Sequence, residues 1–469
     1  MNSLCRWLGA WVVVSCLAVG IAVADGGAYK VEETYLGPML PLQTDGDYTY
    51  VPGHVAYVAE RGARLIMMVD GVPGPQFRWI QGRPVFSPDG KRLAYAAGDS
   101  ASSPESLVLE GVVGPQFYQV GGIVFSPNSQ RVAYCGTQES GDVAVIDGVA
   151  GPKFDGIADL LFSADSLHVA YTAEAGDKHF VILDGTPGPT FDDVETPIFS
   201  PQGHHLAYVG VKHGGEYEKF CAVVDGCPGP FYNGVDDLTF SAEGRWAYIA
   251  TEGNKMFVVL QGVKQKVYSS VSGLVFSPDG RHLGYVGEDG QRYAVVDGVR
   301  GPAFESIGGP ATQGGTEEEG LSFSPDSKRV VYVGVTPDLK CHLVVDGEVG
   351  PGAYDAEGPV FRPDSRHVAC RVQQTENGPW TILVDGVAGP GFDEITESSL
   401  VFGPDSQHLA YAAAQGEEAF VVVDGQSGPK YDQVLAPTMY YQPEGTLEYI
   451  AIRETKLYRV THTPVGGGG

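Results

Sequence analysis

Carboxylates are the residues of this chain best placed to do chemistry, and they come in clusters. Asp192-Asp193, Glu195, Asp236-Asp237, Glu317-Glu318-Glu319, Asp393-Glu394 and Glu397 form short acidic runs. Grouped carboxylates could hold Ca²⁺, which needs six to eight hard oxygen ligands. No D-x-[DN]-x-[DN]-G loop occurs, so no dedicated calcium site is expected. A pair could instead cleave a glycosidic bond, although 58 Asp and Glu leave no specific pair to name. A field of unbalanced negative charge would steer and hold a cationic partner. A solvated face that keeps the chain soluble is the plain alternative. The candidate binding residues are Asp192, Asp193, Asp236, Asp237, Glu317, Glu318, Glu319, Asp393 and Glu394.

Histidine recurs at one spacing, as His54, His168, His205, His282, His367 and His408, with Arg92, Arg131, Arg245 and Arg329 at the same position in four other copies. One histidine per copy leaves them too far apart to share an ion at about 2 Å. Exchange with arginine points to a cationic group beside the turn aspartates. No metal or other cofactor is expected. There is no G-x-S-x-G elbow, no H-E-x-x-H and no Walker loop. Gly98-Asp99-Ser100 resembles the start of a serine-esterase motif, but no strand-to-helix elbow follows it. Whether the chain is an enzyme stays open, with the balance against it.

These residues are positioned by a repeat. FSPDG followed by RLAY recurs with its aromatic at Phe86, Phe125, Phe162, Phe199, Phe240, Phe276, Phe323, Phe361, Phe402 and Tyr441, at intervals of 36 to 47 residues. Tyr50 to Tyr57 is a truncated first copy. VVDG-x-x-GP-x-F-D interleaves with it, from Asp70-Gly71 to Asp424-Gly425, with Glu110-Gly111 and Gln261-Gly262 as aberrant copies. Each repeat reads as four short strands, a to d. Examples are Gly121 to Phe125 for a, Leu206 to Val209 for b, Phe420 to Val423 for c and Phe154 to Ile157 for d. Ser-Pro-Asp-Gly makes the a–b turn and Asp-Gly the c–d turn. Strand b is apolar on both faces, so it needs cover on both sides.

Serial four-stranded units of about 40 residues describe an all-β fold, a β-propeller of about eleven repeats. The SPDG turn running into Leu-Ala-Tyr resembles the TolB-like, WD-type propeller repeat from about Tyr48 to Thr461. That resemblance implies the fold; propellers serve unrelated tasks, so it implies no particular activity. The last repeat, Met439 to Thr461, lacks a strand d, and Tyr35-Leu36-Gly37-Pro38-Met39 could supply it. Val263-Lys264-Gln265-Lys266 replaces the usual Gly-Pro segment, so two rings of six and five blades and one large ring both remain open. The divisions are a signal peptide at 1–24, repeats at 25–262 and 263–464, and a flexible glycine tail at 465–469. Connections b–c and d–a should share the variable face, where Asp99 to Glu105, Lys212 to Lys219, Gln373 to Pro379 and Gly308 to Gly320 all differ, and all of the acidic runs are expected in its d–a connections.

Arg6 followed by an apolar run closing on Ala22-Val23-Ala24 reads as a cleaved export signal. Val13-Val14-Ser15-Cys16 loosely resembles a lipoprotein box, but the apolar run continues past Cys16. Cleavage leaves 29 bases against 58 acids, a charge of −29, which argues against nucleic acid and anionic lipid as partners. Five cysteines remain, of which Cys221 and Cys227 could pair. The expectation is a secreted or periplasmic, non-enzymatic scaffold. It would have no membrane span after cleavage and would bind a protein or polysaccharide through variable acidic loops. A hydrolase or lyase acting on an extracellular polysaccharide is the rival. Oligomeric state is not legible.

Overall fold

Aspartate and glycine in tandem set the local architecture. In the computed structural model both residues of each Asp-Gly pair take positive φ, as at Asp147 (51°) and Gly148 (81°). That is the two-residue type I′ turn, whose twist matches a β-hairpin. Glu110-Gly111 and Gln261-Gly262 adopt it too. The structure describes residues 29–38, 48–51, 53–102, 104–214, 217–308, 320–397 and 399–464. Glu317, Glu318 and Glu319, the expected signal peptide at 1–24 and the glycine tail lie outside them.

Eleven antiparallel sheets result, each with strands in the order a-b-c-d, and no helix forms among the described residues. Blade 3 is typical: Gln119–Phe125, Val132–Gln138, Gly141–Ile146 and Val149–Phe154. Strand d therefore lies earlier than its expected Phe154 to Ile157. Ile146 pairs with Val149 across the tight turn, so the Val-x-Gly-Pro segment is itself strand. Its proline is tolerated because strand d is an edge that needs no inner donor at that point. The following Asp-x-Ile starts strand a of the next blade.

Strand b has the cover that it requires. In blade 5, Leu206 and Tyr208 pack toward blade 4 with Ala170, Val181 and Phe191, while Val209 packs toward blade 6 with Val235, Tyr248 and Ala250. Interleaving is tight: a Cβ on Gly210 would stand 2.5 Å from the Phe191 ring, so only glycine fits there.

Eleven such interfaces follow the chain and close on themselves. Blades 6 and 7 share a core through Ile249, Tyr268, Val271 and Tyr285. Blades 11 and 1 share another through Leu36, Tyr57, Ile450 and Leu457. Of the two arrangements left open, the packing is that of one large ring. Val263-Lys264-Gln265-Lys266 does not interrupt it, because Val263–Tyr268 is an ordinary strand d paired with Lys255–Leu260. The missing strand of the last blade is supplied by Tyr29–Pro38, antiparallel to Lys456–Pro464. The long 308–320 segment leaves from within strand a of blade 8, since Ser306–Ile307 and Ser322–Phe323 both pair with Val330–Val335. Among the described residues no helix is long and apolar enough to cross a membrane.

Candidate functional site

The repeated histidines and arginines occupy the face of the a–b and c–d turns. The blade of Arg245 turns on Gln261, and its guanidinium donates to the Gly280 and Arg281 carbonyls of the next blade. All the others sit beside the turn acid of their own blade: His54 Nδ1 lies 2.6 Å from Asp70 Oδ2, and Arg131 Nε donates to Asp147 Oδ2 at 2.8 Å. The other oxygen of the same aspartate accepts the first backbone N–H of strand b, as Asp147 Oδ1 does from Val132 at 3.1 Å. Arginine and histidine also lie against the neighbouring blade, Arg131 over Phe162 and His205 stacked on Phe240. Both side chains thus fill one inter-blade position. Among the described residues no three His, Cys, Asp or Glu side chains form a set able to hold a metal ion.

On the opposite face the expected acidic residues separate into two kinds. Asp192 and Asp393 are framework. Asp192 Oδ2 accepts the His213 N–H at 2.8 Å, and Asp393 Oδ2 accepts that of Gly416 at 2.8 Å. Each clamps a d–a junction to the b–c connection of the next blade. The Lys178 hydrogen bond holds the Asp192 carboxyl below its ordinary range, helped by the His213 backbone. Asp237 takes left-handed φ at a bulge in strand a, and its Oδ2 accepts the N–H of Leu274 on blade 7 at 3.4 Å. Asp193 lies 3.1 Å from His179, and Glu394 is exposed at the start of its strand. Asp193, Asp236, Asp237 and Glu394 therefore belong to inner strands rather than to d–a connections.

Asp236 and Glu195 are different. They occupy equivalent positions on blades 6 and 5, Asp236 within the inner strand Gly234–Phe240 and Glu195 just after Asp193–Val194, and among the described residues neither carboxylate has a hydrogen-bond or ion-pair partner. Both touch solvent, yet the surrounding protein thins it. Desolvation raises the Glu195 carboxyl, with repulsion from Asp236 and Asp193 adding to it. Desolvation also raises Asp236, followed by the Asp237 charge. Asp159, at the bulge of blade 4, was not legible as part of this arc. It accepts hydrogen bonds from Thr196 and Thr172 at 3.1 and 3.2 Å.

Aromatic side chains stand exposed at several b–c and d–a connections of the same face. Tyr118 and Tyr354 sit at d–a junctions, Tyr217 in the b–c connection of blade 5, and Phe231 under the Lys212 ammonium at 4.8 Å. An open cleft of about 720 Å³ lies between blades 5 and 6, lined by Tyr217, Glu218, Phe220, Asn233, Thr251 and Gly253. Aromatic surface on a face that also carries unpaired charge is what an interaction surface offers: contact area together with orientation. The aromatics gave no sequence signal, because Tyr and Phe are as frequent in the blade cores.

Comparisons with known proteins assign no family and no function. No protein-family model matches the chain, and no curated protein matches it. A crystal structure of a eukaryotic initiation factor is 14% identical over 89% of this chain and 100% of that one, with a TM-score of 0.40. The Dos1 propeller is 12% identical, covering 66% and 93%, at 0.32. Hydrazine synthase from Kuenenia stuttgartiensis is 14% identical, covering 56% and 94%, at 0.26. Similarity at this level leaves function to be read from the site.

Proposed function

We propose that the protein is an exported, non-catalytic propeller that binds a cationic macromolecule, most simply a basic protein, through the b–c and d–a face of blades 5 and 6. The observation that carries this reading is the pair Glu195 and Asp236: two carboxylates that have no hydrogen-bond or ion-pair partner among the described residues and that desolvation and neighbouring acids both raise. A cation brought there relieves their repulsion. The rigid blades hold the surrounding connections in place, which lowers the ordering cost of association. Export rests on the leader ending at Ala24.

The test is capture from the source organism's envelope and culture fluid with chain beginning at Asp25 as bait, at low and high salt. A discrete basic partner that salt releases, and that Glu195→Gln with Asp236→Asn fails to retain, is the expected result. A partner retained equally by the double variant would overturn it.

The same two carboxylates favour a second reading, an enzyme acting on a polysaccharide. Acid–base cleavage needs one carboxyl raised and a second kept ionised. Here both are raised, which suits binding better. Turnover of polysaccharide by the wild type, abolished by Asp236→Asn alone, would establish the enzyme instead.

A further inference from the structure

A second cavity, of about 240 Å³, lies between blades 9 and 10 and has no part in the site above. It is bordered by the inner strands Asp355–Phe361 and Glu394–Ile395. Ile382, Ile395 and Leu400 form its apolar lining, and Glu357, Arg371 and Glu397 are its charged groups. Arg371 is out of pattern. At the strand b position that it occupies, opposite the third residue of strand a, other blades carry Ala96, Cys135, Thr172, Ile249, Val286 and Ile450. Its guanidinium lies 3.7 Å from the centre of the Trp380 ring and donates to Glu357. The pair is 16% and 22% exposed.

An apolar pair would serve stability at least as well in such a place, so the ion pair is not explained by folding energy. Its polar groups are also incompletely used. Arg371 Nε and Asp355 Oδ1 are buried, and neither has a hydrogen-bond partner among the described residues. The Arg371 charge acts on two carboxylates, Asp355 and Glu357, and a third, Glu397, lines the same pocket. Burial raises the Glu357 carboxyl; Arg371 opposes this, while Asp355 and Glu397 reinforce it. Among the described residues that line the pocket, Arg371 is the one cation.

We propose that this pocket receives a cationic group on an aliphatic stem, an alkylammonium or alkylguanidinium, with the stem against Ile382, Ile395 and Leu400 and the head at Glu357 and Glu397. Lysine and arginine side chains of a partner and free amines share that chemistry. The proposal rests on the cationic-partner reading only for the side-chain source. Its experiment uses no partner, so either reading can fail alone.

The test is calorimetric titration of the full chain, with Trp380 fluorescence in parallel. The probes are N-acetyl-lysine methylamide, N-acetyl-arginine methylamide and n-butylamine, with N-acetyl-norleucine methylamide as the uncharged control. Saturable binding of the charged probes alone is expected, weakened at least about tenfold by Glu397→Gln. Thr396→Lys, at an exposed lining position, supplies a tethered cation and should abolish binding. Uptake of the amino-acid amides but not the amine assigns the pocket to a partner's side chain, and the reverse assigns it to a free amine; both support it. No saturable binding, equal binding of the norleucine control, or unchanged affinity in both variants overturns it.

Discussion

Glu33 and Arg453 lie 420 residues apart in the chain and form a two-pronged ion pair, at 2.7 and 3.1 Å. Glu33 stands on Tyr29–Pro38, the strand that completes the eleventh blade, and Tyr431 donates to the same carboxylate at 2.7 Å. Burial alone would raise the Glu33 carboxyl, but the Arg453 and Tyr431 hydrogen bonds and the Arg453 charge outweigh it and hold it below the ordinary range. A depressed carboxyl stabilises the fold fully above its unfolded pKa and loses that contribution as pH falls through the folded value. With both side chains partly exposed, the pair is worth about 1–2 kcal/mol. Glu33→Gln should therefore lower the Tm at pH 7, and the difference from wild type should shrink toward pH 3. A double-mutant cycle with Arg453→Met measures the coupling.

Because one strand closes the ring, its removal has a specific consequence. Deleting 29–38 leaves Lys456–Pro464 as an unpaired edge and uncovers the core that Leu36 fills against Ile450 and Leu457. Unpaired edges recruit other strands. Size-exclusion chromatography should show the deletion variant as dimers or larger species. Leu36→Ala, which keeps the strand, should remain like wild type in size and lose about 2–3 kcal/mol.

The sequence made the turns, the repeat and the double-sided strand b legible because each depends on residues within a few positions of one another. Strand d was misplaced because Gly-Pro marks a break in most contexts, and only its edge position makes Pro152 acceptable inside Val149–Phe154. Asp192 and Asp393 looked like free acids because their acceptor roles join residues 21 and 23 positions apart, His213 and Gly416. No local pattern displays such a bond. Ring number was open for a similar reason: it depends on which blade Leu36 and Tyr268 pack against, a property of the assembled molecule.

His462 is buried and neutral, 3.0 Å from the Tyr449 hydroxyl. Burial lowers its pKa to about 4, against about 6.5 when unfolded. Protonation therefore favours unfolding. The contribution is complete above about pH 6.5 and lost as pH falls toward 4, on the order of 3 kcal/mol. His462→Gln keeps a polar group near Tyr449 but cannot titrate. Thermal melts between pH 7 and pH 4.5 should show a shallower loss of Tm in this variant; parallel curves would contradict the assignment.

Glu195 and Asp236 should behave as residues kept at some cost to stability. Both carboxyls are raised by desolvation and by neighbouring acids, so the fold disfavours their charged forms at pH 7. Glu195→Gln and Asp236→Asn should leave the Tm unchanged or raise it by a degree or two, on the order of 0.5 kcal/mol. Asp192→Asn is the contrast, because it weakens a carboxylate that clamps the His213 backbone, and it should lower the Tm. Differential scanning calorimetry of the three variants separates binding acids from framework acids.

Thiol chemistry gives an independent check on the packing. Cys221 and Cys227 do not pair: both are free, Cys221 buried and Cys227 exposed. Cys221 lies opposite Gly210 inside blade 5, while Cys227 is the first residue of that blade's strand d, so the c–d turn carries them apart. Burial pushes the Cys135 and Cys370 thiols up to about 12 and Cys341 to about 11. It raises Cys221 as well. A raised pKa and poor access both suppress the thiolate, the reactive form. Native chain beginning at Asp25 should therefore give one rapidly titrating thiol with an aromatic disulfide reagent at pH 8. The other four should react only on unfolding. Cys227→Ser should remove the fast phase; a native titre of zero would show a disulfide and a different blade 5.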